Sequence, residues 1–312
     1  ITVIIVFVRE AAIGFAFKDI HFVMGPFYRN HVAYASIIAL FLPFVYQKSI
    51  DPSISKAKRN FLKICLVFLL IALFFSFTRA AILAVVAAIG FIWVIRLKMV
   101  RYMVFSVSIA ILLGVAYLAK DNRYLEFAPN FDTTIMQDQF GNLINATYQL
   151  EDISTMERVY RWVAGFNMIA DYPWFGVGPG NFYNAYQSYT ITSFKTYVSN
   201  NPEHSGIHSY YLMTTVEQGI IGGVLYLLFV FAVFLYGERV FHRLESKEQK
   251  NELLAYLLCF FIICILQIIN DLIETDKVGP FFWLSVAMIV RAGLSSAKQI
   301  NTNTDPKIEV QE

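Results

Sequence analysis

A few side chains in this sequence could bind an anion and accept a proton. Arg158 and Arg161 stand three residues apart in a segment with helical apolar spacing, so both guanidinium groups could reach one anion. His208 stands where an apolar run begins, and a neutral imidazole there could accept a proton near pH 7. Arg79, between two apolar runs, could bind an anion or anchor the chain at a membrane interface. Surface roles for the other arginines and an interfacial role for His208 are the alternatives.

The run Gly176-Val-Gly-Pro-Gly-Asn181 and Glu217 complete the candidate site. Because glycine permits positive φ and proline fixes its own, the run predicts a turn. The turn either bends the chain back or exposes the backbone of Gly178, Gly180 and Asn181 to a substrate. It is not a dinucleotide-binding fingerprint, since no strand precedes it and Asn181 stands where the third glycine would be. Glu217 lies in an apolar run, so its carboxylate should face the bundle interior or a partner.

The composition places these residues in an integral membrane protein. Of 312 residues, 57% are hydrophobic and 15% are charged, and the mean hydropathy is +0.54. Seven apolar runs approach the roughly 20 residues that a helix needs to cross a bilayer, and they lack the alternation of barrel strands. The runs are 32–46, 61–77, 80–95, 102–119, 209–236, 253–269 and 280–295. We therefore expect an all-α polytopic helical bundle with about seven full spans and a partial one in residues 1–17.

The placement of Lys and Arg predicts the orientation of this bundle. Three short connections between the runs are basic, and by the positive-inside rule they should be cytoplasmic. Their basic residues are Lys48, Lys56, Lys58, Arg59, Arg96, Lys98, Arg101, Arg239, Arg243, Lys247 and Lys250. Alternation of the spans then places residues 120–207 outside, on the same side as Arg79.

Four regions follow from this pattern. Residues 1–119 should form the N-terminal transmembrane helices and residues 120–207 a large, partly helical extracytoplasmic loop. Residues 208–295 should form the C-terminal transmembrane helices, and 296–312 a disordered cytoplasmic tail. Because the chain opens without methionine, we expect it to be shortened at the N-terminus. Neither a metal nor another cofactor is predicted, since the cysteines lie in apolar runs and the external carboxylates lack a compact ligand spacing.

Several motifs, in this order, resemble the bacterial O-antigen ligase and O-antigen polymerase superfamily, which includes protein O-oligosaccharyltransferases. The match covers most of residues 20 to 236 and is carried by order and spacing. The motifs are Gly25-Pro-Phe-Tyr-Arg-Asn-His-Val-Ala-Tyr34, Ser76-Phe-Thr-Arg79, Arg158 four residues before Trp162, Met168-Ile-Ala-Asp-Tyr-Pro-Trp-Phe-Gly-Val-Gly-Pro-Gly-Asn-Phe182, and His208-Ser-Tyr-Tyr-Leu212 through Glu217-Gln-Gly219. Members usually have more spans, so the chain resembles their C-terminal part.

The resemblance implies surface polysaccharide biosynthesis, such as that of lipopolysaccharide, at the outer side of the bacterial inner membrane. A glycan would move from a polyprenyl-diphosphate carrier such as undecaprenyl diphosphate to a hydroxyl of lipid A-core, a glycan or a protein, without a metal and without nucleic acid. The family's arginines would correspond to Arg79 and Arg158, and its histidine to His208. Guanidinium groups would stabilise the diphosphate, and the imidazole would deprotonate the acceptor. Arg161 is a second candidate beside Arg158.

Two other classes of function stay open at this level. A transporter or channel with an external lid predicts ionisable residues facing one another at mid-membrane, or helices broken in matched halves. A sensory or scaffold protein is the third hypothesis. Neither explains why arginines and a histidine gather on one side. Ligase, polymerase and protein glycosyltransferase are not separated, because they differ in the acceptor and share the carrier chemistry.

Overall fold

The computed structural model describes residues 1–16, 19–120, 153–190, 204 and 206–304, and all regular structure in them is helical, as predicted. No strand occurs in this part of the chain. The α-helices are α1 (Thr2–Ala12), α2 (Ile20–Met24), α3 (His31–Ser49), α4 (Lys56–Phe75), α5 (Arg79–Arg96), α6 (Val100–Ala119), α7 (Ile153–Asp171), α8 (Phe182–Tyr186), α9 (Tyr210–Arg243), α10 (Lys247–Leu266) and α11 (Gly279–Thr304).

Five of these helices are long and apolar enough to cross a bilayer, namely α3, α5, α6, α9 and α10. The chain is therefore a multi-pass membrane protein. The predicted runs 61–77 and 280–295 lie in α4 and α11, for which a membrane crossing stays a prediction. Helix α1 has 11 residues, too few to span a bilayer alone. Residues 121–152, most of 191–205 and 305–312 lie outside the described residues, and so do the predictions made for them. The predicted disordered tail is wrong for residues 296–304, because they continue α11.

Contacts between helices place their termini at two ends of the bundle. The N–H of Tyr210 at the start of α9 donates to the carbonyl of Gln267 after α10, at 2.9 Å. At the other end of α9, the Nε2 of His242 lies 2.8 Å from the carbonyl oxygen of Ile95 near the end of α5. Helix α5 therefore begins, with Arg79, at the end where α9 begins.

The two ends differ in charge. All three short basic connections, at 48–59, 96–101 and 239–250, lie where α3, α5 and α9 end and α4, α6 and α10 begin. We call this the basic end and the opposite one the His208 end. The separation of charge agrees with the sequence pattern that predicts the basic end to be cytoplasmic.

Helix α9 contains a sharp break at Gly219, whose φ of 71° and ψ of −177° are not helical. The rings of Tyr210 and Tyr226 lie 5.1 Å apart, although a straight helix would separate these residues by about 24 Å. Residues 210–218 thus fold back beside the turns that follow the break. The segment that can cross the membrane begins near residue 220, so the predicted span 209–236 starts about three turns too early.

A small core joins α7 to the segment that leads into α9. It contains the buried side chains Tyr160, Ala164, Met168, Phe182, Tyr186, Ile207, Met213 and Val216. Gly165 allows the close approach, because a Cβ there would lie 2.4 Å from Cδ1 of Ile207. Helix α7 therefore lies fixed along residues 207–216, and its arginines take defined positions at the His208 end.

Candidate active site

Helix α7 brings Arg161 against His208. The Arg161 side chain is almost fully buried, with 1% of its surface exposed. Its Nη1 donates to the carbonyl of Gly206 at 2.7 Å and to Nε2 of His208 at 3.2 Å, while Nη2 pairs with the Glu157 carboxylate. Because a guanidinium has only donors, the Nε2 of His208 must accept this bond. The tautomer with its lone pair on Nε2 satisfies this contact.

Glu157 balances the positive charge of this group. Its Oε1 lies 3.9 Å from Nε2 of His208, and its carboxylate pairs with Arg161 one helical turn away. Burial alone would raise the pKa of Glu157, but the contact with His208 and the positive charges of Arg161 and Arg158 outweigh burial and lower that pKa. Glu157 is therefore ionised at neutral pH. Glu157 is not among the predicted site residues, although its i,i+4 spacing from Arg161 is visible in the sequence and indicates the ion pair.

Asp271 holds the backbone of His208. It lies between α10 and α11, and its Oδ2 accepts the N–H of His208 at 2.7 Å. His208 has a φ of 59°, in the left-handed region that residues other than glycine seldom adopt. Gly206 leaves room for this contact, because a Cβ there would lie 2.4 Å from the same carboxylate oxygen. Burial raises the pKa of Asp271, although His208 and Arg161 act in the opposite direction.

Arg158 lies at the edge of the same cluster. Its side chain is half-buried, and its Nε donates to the carbonyl of Ile269 at 3.4 Å, next to the Asp271 turn. One turn later, Trp162 donates its indole N–H to the carbonyl of Ile207 at 3.1 Å. The structure thus brings together the predicted residues Arg158, Arg161 and His208. We call these three residues with Glu157 and Asp271 the His208 cluster.

Arg79 shares the end of the bundle with this cluster. It is the first residue of α5, and its side chain is half-buried. The hydroxyl of the preceding Thr78 donates to the carbonyl of His31 at 3.4 Å, which joins the first turns of α3 and α5. Arg79 therefore lies at the end of the bundle opposite the basic end, and its external position stays a prediction. Its direct participation in the cluster stays a prediction.

The glycine turn docks on the break in α9. The N–H of Gly178 donates to the carbonyl of Glu217 at 2.9 Å, and the Glu217 carboxylate accepts the N–H of Phe182 at 3.1 Å. Gly176 has a φ of 66°, and a Cβ there would lie 2.4 Å from the carbonyl carbon of Glu217. Gly178 and Glu217 thus hold the turn against α9. Gly180 and Asn181 are exposed on the turn's outer side.

The His208 cluster combines two guanidinium groups, an imidazole and two carboxylates. Two guanidinium groups can hold a diphosphate through charge-assisted hydrogen bonds, and an imidazole with a lone pair on Nε2 can accept a proton. Within the described residues, no group of three His, Cys, Asp or Glu side chains is arranged to hold a metal ion. The cluster thus has the groups needed for transfer between an anionic leaving group and a hydroxyl.

Comparison with known families gives a match over the segment that carries most of the site residues. A family model described as O-antigen ligase matches residues 64–227, more than half of the chain. The matched segment contains Arg79, both arginines of α7, the glycine turn, His208 and Glu217. Asp271 lies beyond its end. No match is found among curated proteins.

Proposed function

Because this chain belongs to the O-antigen ligase family, we propose that it transfers a glycan from a polyprenyl-diphosphate carrier to an acceptor hydroxyl. The acceptor would be lipid A-core, a second glycan or a protein. The chain would lie in the bacterial inner membrane, with its basic end in the cytoplasm and its His208 end facing the periplasm. The observation that carries the proposal is the contact between the Arg161 guanidinium and the imidazole of His208.

In this mechanism the arginines hold the leaving group. Breaking the anomeric C–O bond leaves both bonding electrons on the diphosphate, so negative charge grows on its oxygens. Arg158 and Arg161 would meet that charge with forked N–H donors that keep their protons at any physiological pH. Stabilisation of charge that develops in the transition state is usually the largest catalytic contribution. Arg79 would contribute a third cation from the start of α5.

His208 would act as the general base. The acceptor oxygen forms its bond to the anomeric carbon as its proton passes to Nε2 of His208. In the structure that lone pair accepts a bond from Arg161, at 3.2 Å. A diphosphate that draws the Arg161 guanidinium away from the imidazole would free Nε2, so the donor would have to bind before the acceptor is deprotonated.

Asp271 and Glu157 would be positioning residues. Asp271 fixes the left-handed backbone of His208, and Glu157 orients Arg161 through their ion pair. Gly178 and Glu217 would position the turn, on which Gly180 and Asn181 are the proposed contacts to the sugar. The turn's exposed backbone is suited to hydroxyl groups, because it offers both donors and acceptors.

The test is a pair of alanine variants, His208→Ala and Arg158→Ala, in cells that lack the native gene. We expect each variant to assemble at least about 100-fold less surface polysaccharide at normal protein level. His204→Ala is the matched control, since that exposed imidazole stacks on Tyr183, at 3.8 Å, outside the cluster. Full-length polysaccharide from both test variants would show that these residues do not carry the reaction.

The proposed sidedness has its own test. Thr190→Cys lies beyond α8 on the predicted external segment, and Lys98→Cys lies at the basic end. In intact spheroplasts an impermeant maleimide should label the cysteine at 190 and leave the one at 98 unlabelled. The reverse pattern would invert the orientation and leave the chemistry of the cluster unchanged.

A further inference from the structure

A group of large apolar side chains is exposed where α7 ends. Trp174 and Phe175 are 65% and 78% exposed, and Tyr172 before them is 52% exposed. Ile220 and Ile221, just after the break in α9, are 43% and 44% exposed. We call these five residues the aromatic patch. Contiguous exposed apolar surface of this kind marks contact with a membrane or with another protein.

The backbone fixes the depth of this patch relative to α9. The N–H of Ile220 donates to the carbonyl of Pro173 at 2.8 Å. A Cβ on Gly219 would lie 2.1 Å from the carbonyl oxygen of Trp174, so the two chains are in direct contact there. Trp174 and Phe175 therefore sit at the level where the crossing segment of α9 begins.

That level lies about one hydrocarbon thickness from the charged residues that follow the crossing segment. After the break, the apolar run of α9 continues to Tyr236 and is followed by Glu238 and Arg239. Its 17 residues rise about 26 Å, close to the hydrocarbon thickness of about 30 Å. If the charged residues mark one boundary, Gly219 lies at the other. Trp is enriched at this depth because its ring is apolar and its N–H is polar.

The surface below the patch is also apolar. Val224, Leu225 and Leu228 are exposed on the crossing segment itself. The patch is thus continuous with a face of α9 that crosses the membrane and must meet lipid wherever the helix is exposed. This continuity favours lipid over a partner protein as the occupant of the patch.

We propose that Trp174 and Phe175 insert into the lipid at the interface of the leaflet on the His208 end. Helix α7 is then anchored twice, by lipid at its C-terminal end and by the His208 cluster towards its N-terminal end. The lipid contact fixes the position of Arg158 and Arg161 along the membrane normal. This binding surface is independent of the reaction assigned to the cluster.

Tryptophan fluorescence in vesicles tests the proposal, since the chain has only four tryptophans. The triple variant Trp93→Phe, Trp162→Phe, Trp283→Phe leaves Trp174 as the single emitter in the full chain, reconstituted in phosphatidylcholine vesicles. Phosphatidylcholine brominated near the headgroup should quench its emission at least twofold, lipid brominated near the chain end should quench less, and aqueous iodide should quench weakly. The matched control keeps only Trp162, which contacts Ile207 in the small core, and brominated lipid should quench it little.

Two outcomes would overturn the proposal. Quenching of Trp174 by iodide at the level of a free indole, with none by brominated lipid, would place the patch in water. Protection from both quenchers would mean that protein covers it. If the triple variant does not fold, a spin label at Phe175→Cys, with Cys65→Ser, reports the same contact. Oxygen should then relax the label more than a water-soluble nickel complex does, and the opposite order contradicts the proposal. None of these readouts depends on glycan transfer.

Discussion

The two ends of α9 each place a histidine beside a glutamate, and the two pairs are used differently. At the basic end, the Nε2 of His242 lies 2.8 Å from the carbonyl oxygen of Ile95, so that nitrogen must carry a proton and donate. At the other end, the Nε2 of His208 accepts a bond from Arg161 at 3.2 Å, so that nitrogen must lack one. The same ring nitrogen therefore donates at one end and accepts at the other.

The glutamates differ in the same way. Glu238, at the basic end, accepts the N–H of Val100 at 2.9 Å and so satisfies a free backbone donor in the first turn of α6. Glu157, at the His208 end, pairs with a guanidinium side chain. Because their partners are main-chain groups, His242 and Glu238 hold the turn between α5 and α6 in place. His208 and Glu157 have a side chain as their partner, and a side chain can move away when a substrate binds. The partner, more than the residue type, decides the role.

Removing Arg161 should give the largest effect, because it takes away both a phosphate ligand and the partner of His208. We expect Arg161→Ala to lower glycan transfer by at least about 100-fold in membranes supplied with lipid-linked glycan. Arg161→Lys should recover little, since lysine offers a point charge in place of a fork. Arg101→Ala is the control, because that arginine stacks on Tyr102, at 4.6 Å, at the basic end. Normal transfer by Arg161→Lys would show that the fork is not needed.

Sequence could predict Arg158, Arg161 and His208 because local signals mark them. Helical spacing places both arginines on one side of α7, and the start of an apolar run marks His208. The family match then covers all three. The small core follows that rhythm only in part, because its buried residues on α7 are Tyr160, Ala164 and Met168, with Trp162 and Ile169 packed against them.

Asp271 could not be predicted in this way, because its role depends on contact with a residue 63 positions earlier. Only the packing of the turn after α10 against residues 206–208 brings the two together. The break at Gly219 was missed for a different reason. Apolar residues continue through it, and a hydropathy pattern does not report φ, so the run 209–236 resembles one uninterrupted span.

Gly219→Ala should disrupt the break in α9 at the His208 end and leave the His242 pair at the basic end unchanged. Alanine strains a φ of 71° with a ψ of −177°, and its Cβ would overlap the Trp174 carbonyl. We expect a loss of about 3 kcal/mol or more of unfolding free energy, seen as a large drop in the thermal midpoint in detergent. Gly90→Ala in α5, where nothing lies within 4 Å of the added Cβ, is the control. Equal midpoints for the two variants would mean that the break is dispensable.

Removing the His242 and Glu238 contacts at the basic end should lower the unfolding free energy and leave glycan transfer unchanged. His242→Ala leaves the Ile95 carbonyl without its side-chain donor, and Glu238→Ala removes the acceptor of the Val100 N–H. Each should lower the unfolding free energy by about 1–2 kcal/mol, while transfer per folded molecule stays within about twofold of the unmodified chain. Loss of transfer at unchanged thermal stability would remove the contrast between the two ends.

Acid should weaken the His208 pair through Glu157, and this is the smallest effect. Its folded-state pKa lies below the ordinary value of 4.5, so its ionised form stabilises the fold above about pH 4.5. That contribution is lost as pH falls through the lower folded-state pKa. The raised pKa of Asp271 acts in the opposite sense, because its ionisation costs stability and that cost vanishes in acid. Because Asp271 is present in both proteins, its contribution drops out of the difference in thermal stability between the unmodified chain and Glu157→Gln. This difference should correspond to about 1 kcal/mol at pH 6 and shrink towards pH 3, whereas a difference that is constant with pH would mean that the Glu157 charge does not support Arg161.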